Sequence, residues 1–368
     1  MIYKVSGVEI ELTSRCNASC PQCSRNYYGG ETWPTLPLVD LSFDLIKTKL
    51  GKLIKNLSHV KLCGTYGDPC VHPKLIEIVQ WIVDNSDCEI TINTNGSLRT
   101  KKWWNTLAKT LGSRGRVFFG IDGLEDTHHL YRIDTSYNKI IENLKTFNQA
   151  GGRSVWSFLI FEHNQHQVDQ ARTLSELYGC ENFAIKSTSR FLNKTHEIVD
   201  KVEVKNKQGQ TIYWLKPTTK QEYINSGYKD FEVIINKFGS YRNYLNTTEI
   251  NCRSMEDEHI DISSEGYVLP CAFLLDRFYG VEAENHPDRE KLFRLIEQHG
   301  GLDKINLHKT DIDAILNGEI FQQIKLSWTG DRLDRCANQC GSMSTLLANA
   351  NKELLALWAG NSIDREQK

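Results

Sequence analysis

No apolar run in this 368-residue chain approaches the length that crosses a bilayer, which excludes a membrane-spanning helix. The first residues, Met1-Ile-Tyr-Lys-Val, lack the apolar stretch of a signal peptide, so the expected location is cytoplasmic. An excess of one charge is lacking too: 44 Lys and Arg face 46 Asp and Glu, for a net charge of -2. That balance gives no global electrostatic case for a nucleic acid or a membrane surface. Basic and aromatic residues do not cluster, which also argues against a nucleic-acid partner. There are no internal repeats and no low-complexity tract, and the composition is that of a globular protein of one large domain or two.

Cysteine, by contrast, is abundant, with eleven residues. In a reducing compartment clustered cysteines point to metal or catalysis rather than to disulfides. Cys63, Cys70, Cys88 and Cys180 are scattered and read as small buried hydrophobes. The others form two groups. Cys16, Cys20 and Cys23 stand in Glu-Leu-Thr-Ser-Arg-Cys-Asn-Ala-Ser-Cys-Pro-Gln-Cys, a C-x3-C-x2-C loop directly after an apolar run. Three thiolates on one short loop can hold three irons of a [4Fe–4S] cube and leave the fourth iron open. The competing reading is a zinc knuckle, but structural zinc sites close with four ligands, and no fourth Cys or His follows in the loop.

The first half of the chain alternates strand-like and helical patterns. Strands are expected at Val8–Thr13, His59–Tyr66, Cys88–Thr94, Arg116–Asp122, Val155–Phe161 and Asn182–Lys186. Helices are expected at Ser42–Leu57, Pro73–Asn85, Lys101–Leu111, Tyr137–Ala150 and Gln167–Tyr178. In the first helix Leu45, Ile46, Leu50, Leu53, Ile54 and Leu57 share one face, as in a helix packed on a sheet. Six strands alternating with helices imply an α/β fold with a parallel sheet and right-handed crossovers. Active residues of such a barrel belong at the C-terminal strand ends.

The cysteine loop resembles that of the radical S-adenosylmethionine (SAM) enzymes. The resemblance implies a partial (β/α)6 TIM-like barrel, a SAM-binding [4Fe–4S] cluster on Cys16, Cys20 and Cys23, and SAM chelating the open iron. It implies further that Tyr66, Gly67 and Asp68, in Gly64-Thr-Tyr-Gly-Asp-Pro, receive the SAM ammonium. Asn95, in Thr94-Asn-Gly, would bond the ribose or the SAM carboxylate, and the backbone of Gln22 would cover the adenine. Gly120-Ile-Asp122-Gly followed by His128, His129 and Arg132 is similar to the Ser-(Ile/Leu)-Asp-Gly…His…Arg pattern of relatives with SPASM or twitch extensions. Asp122 and Arg132 then belong to the SAM site, Arg132 as partner of the SAM carboxylate, with Gly where Ser is commoner. The two histidines are expected to hold the loop.

Cys252, Cys271, Cys336 and Cys340 form the second group, with Ile260–Cys271 reading as a hairpin that delivers Cys271. Four cysteines close one [4Fe–4S] cluster or one zinc site equally well. The resemblance implies an auxiliary [4Fe–4S] cluster in a small α+β twitch-like domain. The expected organisation is a core over 1–190, a hairpin and helical insert or lid over 191–250, and the auxiliary-cluster domain over 251–368. Within the insert, Val202–Leu215 reads as a hairpin turning at Asn206–Gly209.

The implied activity is reductive cleavage of SAM to a 5′-deoxyadenosyl radical that abstracts hydrogen from a substrate C–H. The substrate is expected to be a small polar metabolite or sugar, the alternative being a peptide. The chain shows no run that reads as a leader-binding winged helix before the first strand, which favours the former. An electron donor such as a flavodoxin or ferredoxin is the implied partner. A non-catalytic zinc protein is the remaining reading. Lys186, at the sixth strand end, is expected to line the pocket.

Overall fold

Each apolar run of the first half becomes a strand whose alternate side chains are fully buried under a helix. The structure is a computed structural model and describes residues 3–191, 198–280, 283 and 286–343. The tail expected to fray, Asn361–Lys368, lies outside the described residues. The order is β1 (Gly7–Ile10), α1 (Phe43–Ile54), β2 (His59–Leu62), α2 (Leu75–Asn85), β3 (Glu89–Thr94), α3 (Lys101–Leu111), β4 (Gly115–Gly120), α4 (Tyr137–Gln149), β5 (Arg153–Ile160), α5 (Val168–Leu177) and β6 (Asn182–Ser187). The six strands pair in parallel in sequence order. Val8, Ile10, Val60, Leu62, Ile90 and Ile92 turn to the helices and are buried in one continuous core. Ser42, Thr100 and Ser136 cap α1, α3 and α4 by accepting a backbone N–H. The architecture is an α/β partial barrel, as expected.

The other strand face carries Glu9, Lys61, Thr91 and Arg116 on one rung and lines the barrel interior. A parallel strand buried on both faces is ordinarily apolar throughout. Here this rung is polar, while Phe118, Val155 and Ala184 make a small separate apolar cluster on the same face.

Strands end earlier than their apolar patterns do. Glu11–Thr13, Cys63–Tyr66 and Ile121–Asp122 lie beyond the strand ends, where some backbone groups turn to side chains. Tyr66 N donates to Glu11, and Asp122 N meets the His128 ring. Helix α2 starts at Leu75 rather than Pro73. Pro69 instead opens a short 3-10 turn capped by Asp68.

In the second half come β7 (Val202–Lys205), β8 (Thr211–Leu215), α6 (Ser226–Phe238), α7 (Tyr241–Thr247), α8 (Arg253–Glu256), β9 (His259–Ile262), β10 (Val268–Leu269), α9 (Ala272–Leu275), α10 (Pro287–Gln298), α11 (Ile312–Leu316), α12 (Glu319–Ser327) and α13 (Asp334–Cys340). Strands β7 and β8 form the expected hairpin, with Gly209 at φ +76° and Asn206 Oδ1 accepting from Gln208 N and Gln210 N. The expected second hairpin, β9–β10, joins the barrel. Strand β9 pairs in parallel with β1, giving an eight-stranded sheet in the order β10-β9-β1-β2-β3-β4-β5-β6. Tyr244 and Leu245 of α7 pack with Ala337 of α13, so the insert shares a hydrophobic cluster with the cysteine-bearing end. Among the described residues no helix is long and apolar enough to cross a membrane.

Candidate functional site: two cysteine groups flanking a polar barrel

The cysteine loop leaves the C-terminal end of β1 and is pinned from three sides. Cys23 N donates to Cys20 O and Ser19 N to Ile133 O, while Ser19 Oγ donates to Asp134. The β7–β8 hairpin lies over the loop. Lys205 N donates to Tyr28 O, and Val204 and Leu215 pack with Ala18, Cys20, Tyr131 and Phe161. Cys20 is thereby buried, and Cys16 and Cys23 are half-buried. Burial pushes the Cys16 and Cys20 thiols up, Cys20 to about 11, with Arg132 Nη1 at 3.8 Å from Cys20 Sγ working against it. Thiolates here need cationic company, which metal ions supply. Gln22 reaches the β6 end: its Nε2 donates to Arg190 O, and its own carbonyl accepts from the Arg190 guanidinium.

Beside this loop runs Gly64–Pro69. A Cβ on Gly67 would stand 1.7 Å from Thr13 O, and one on Gly64 would stand 2.4 Å from Gly67 O. Only glycine allows the backbones to approach so closely. Asp68 N donates to Arg15 O at 2.9 Å, tying the two loops together. The Asp68 carboxylate turns to the end of β3, accepting from Cys70 N, Thr94 Oγ1 and Asn95 N. Tyr66 points the other way and donates its hydroxyl to Leu275 O and Tyr279 O. The Asn95 side chain donates to Asn17 Oδ1 at 3.0 Å and lies 3.7 Å from Cys16 Sγ.

At the end of β4 the fully buried Asp122 accepts from Leu159 N through one oxygen and pairs with Arg132 Nε at 2.6 Å through the other. A Cβ at position 120 would stand 2.5 Å from Arg132 Nη2, so a side chain there would displace the guanidinium. Burial lowers His128 to about 3, so its ring is neutral. Its Nδ1 faces Asp122 N and its Nε2 faces Thr135 Oγ1, which makes Nε2 the protonated nitrogen. His128 thus holds the turn that presents Arg132.

The second group closes from three segments. Cys252 and Cys271 stand at the starts of α8 and α9, and Cys336 and Cys340 lie on α13. The C-x3-C spacing puts both α13 thiols on one helix face. Asn251 N donates to Cys340 O, bringing the segments together. The neighbouring Cys340 thiol pushes Cys252 up, and Cys340 is held lower, with Arg253 assisting. Because β10 runs antiparallel to β9, Cys271 comes to the level of the strands' N-terminal ends. Cys16 stands beyond their C-terminal ends, so the polar interior separates the groups.

Sequence reasoning missed Glu11, an acid buried at the end of an apolar strand beside the cysteine loop. One of its oxygens accepts from Tyr66 N at 2.7 Å and from Gly67 N at 3.0 Å. The other meets Ser264 of the β9–β10 turn at 3.4 Å. Burial raises Glu11 to about 7. Folded protein therefore keeps a proton that the unfolded chain releases near the ordinary carboxylate pKa. Stability from this group is full in acid and is lost as pH rises toward 7. Glu11→Gln is expected to remove a fall of up to about 1.4 kcal/mol per pH unit over that window. Denaturant titrations at several pH values check it, and parallel profiles for both proteins would refute it. Lys186, half-buried on the interior face of β6, is lowered by burial to about 8, with Lys61 adding to the shift.

Residues 10–174 match the Radical SAM superfamily. GTP 3′,8-cyclase of Staphylococcus epidermidis is 24% identical over 238 residues, which cover 62% of this chain and 63% of that protein. The chain thus spans less than two thirds of that relative's length. Among solved structures, histidine-tagged anSMEcpe with bound AdoMet is 14% identical with a TM-score of 0.56, covering 98% of this chain and 96% of that one. SuiB of Streptococcus suis bound to the precursor peptide SuiA is 14% identical with a TM-score of 0.54, covering 88% and 67%. These structures share the fold.

Proposed function

We propose, from the premise that residues 10–174 are a Radical SAM superfamily domain, that the protein is a radical SAM oxidoreductase acting on a polar substrate in the barrel interior. The observation that carries this reading is the C-x3-C-x2-C loop packed without a gap against Gly64–Pro69. A [4Fe–4S] cluster and SAM supply, when bound, the electron and the 5′-deoxyadenosyl radical that takes hydrogen from a substrate C–H. Cys16, Cys20 and Cys23 would hold that cluster. The Asp122–Arg132 pair presents a guanidinium suited to the SAM carboxylate. The SAM ammonium falls to the carbonyls of the glycine loop, since the Asp68 carboxylate is engaged by the end of β3. Asn95 and the Gln22 segment border the same space. The hairpin and Tyr131 exclude water from Cys20.

Cys252, Cys271, Cys336 and Cys340 would hold an auxiliary [4Fe–4S] cluster in a twitch-like unit. Held by these thiols, across the barrel interior from the cysteine loop, that group would supply an acceptor for the second electron of a two-electron oxidation. Lys61 and Lys186 line the space between and favour a substrate with an anionic or carbonyl group. The cysteines, all free among the described residues, suit a reducing compartment, and a flavodoxin or ferredoxin would supply the electron. A peptide is the second substrate reading, favoured by the fold shared with peptide-bound SuiB.

The test is anaerobic incubation with SAM and dithionite. Formation of 5′-deoxyadenosine with about eight irons per chain is the expected result. Zinc in place of iron, or no SAM cleavage under full reduction, would overturn the reading.

A further inference from the structure

The N-terminal mouth of the barrel holds a second cluster of ligating side chains that the reading above does not use. Glu9, His259 and Asp261 offer one carboxylate oxygen, one imidazole nitrogen and one carboxylate oxygen, all within 4.8 Å of one another. Strand register builds this cluster. Gly7 of β1 pairs with His59 of β2 on one side and with His259 of β9 on the other. On the next rung facing the same way, Glu9 stands between Lys61 and Asp261. Gly7 makes the room: a Cβ there would stand 3.0 Å from His259 Nδ1.

On the neighbouring strand, outside that group, His59 Nδ1 is buried and has no hydrogen-bond partner among the described residues. A buried ring nitrogen without a partner carries a cost that a metal ion or a proton donor would remove. Lys61 Nζ sits 2.6 Å from Glu9 Oε2 and offsets one carboxylate charge. One imidazole and two carboxylates on the adjacent strands β1 and β9 then offer a divalent ion three ligands. The donors are nitrogen and oxygen without thiolate, which selects manganese, ferrous iron or zinc over softer ions.

We propose that His259, Glu9 and Asp261 form a divalent metal site at the N-terminal mouth of the barrel, built from side chains other than the cysteines. The site does not depend on radical chemistry and stands or falls separately from it.

The experiment is titration of the anaerobically purified full-length protein with Mn(II), reading free ion by electron paramagnetic resonance. Mn(II) is chosen because thiolates compete for it poorly. One saturable equivalent is expected, weakened at least tenfold by His259→Gln and by Asp261→Asn and unchanged by Cys16→Ala. Pulsed resonance on the wild-type complex needs no variant and is expected to show imidazole nitrogen coupling. Absence of saturable binding, absence of nitrogen coupling, or wild-type affinity in both variants would overturn the proposal.

Discussion

Replacing Cys16, Cys20 and Cys23 together with Ala is expected to halve the iron of the purified protein, from about eight to about four atoms per chain, and to bring 5′-deoxyadenosine formation to the level of a protein-free control. The loop is held by backbone contacts at Ser19, Cys23 and Tyr28 and by the overlying hairpin, so the chain should still fold without the thiols. The complementary variant, Cys336→Ala with Cys340→Ala, removes two ligands from one face of α13. It is expected to lose the other irons while still cleaving SAM, because the barrel separates the groups. Iron and sulfide analysis alongside chromatography of the nucleoside product reads both outcomes. SAM cleavage surviving in the triple variant would sink the assignment of the N-terminal loop.

Gly67→Ala should be the most damaging single methyl in the molecule. The new Cβ would lie 1.7 Å from Thr13 O and 2.6 Å from Thr13 C, both backbone atoms that cannot rotate away. Relief requires the Gly64–Pro69 loop to lift from the cysteine loop. That breaks the Asp68 N–Arg15 O bond and the two amide bonds to Glu11. Losing this set while straining the loop costs about 4 kcal/mol or more. Gly209→Ala is the control: its φ is +76°, but nothing lies within 4 Å, so the cost is about 1 kcal/mol. The thermal midpoint should fall far more in the first variant than in the second, and SAM affinity should fall only in the first. Equal effects would mean that the loop packing is not what Gly67 serves.

Much of this was legible in the chain because it depends on local pattern. The period-3.6 and period-2 runs marked every barrel helix and strand, and the cysteine spacings marked both groups. The strand ends were less legible. Apolar residues such as Leu12 and Ile121 continue the pattern past the point where the backbone leaves the ladder, and hydrophobicity does not register that change. Glu11 went unremarked because one acid at a strand end has no periodic signature. Its meaning comes from amides far along the chain, at Tyr66, Gly67 and Ser264. The glycine at position 120 reads in sequence as a departure from a pattern; in space it is the surface on which Arg132 lies.

The sequence by itself determined the secondary structure of the barrel, the two cysteine groups and the hairpin turn at Asn206–Gly209, since residue type and spacing decide each over a few turns or rungs. The tertiary structure alone decided that the C-terminal hairpin adds to the barrel sheet beside β1, that the insert packs over the cysteine loop and against α13, and that Glu9, His259 and Asp261 meet at one mouth. Those facts rest on register and packing between segments as many as about 250 residues apart, and contacts at that range leave no periodic trace in a single chain.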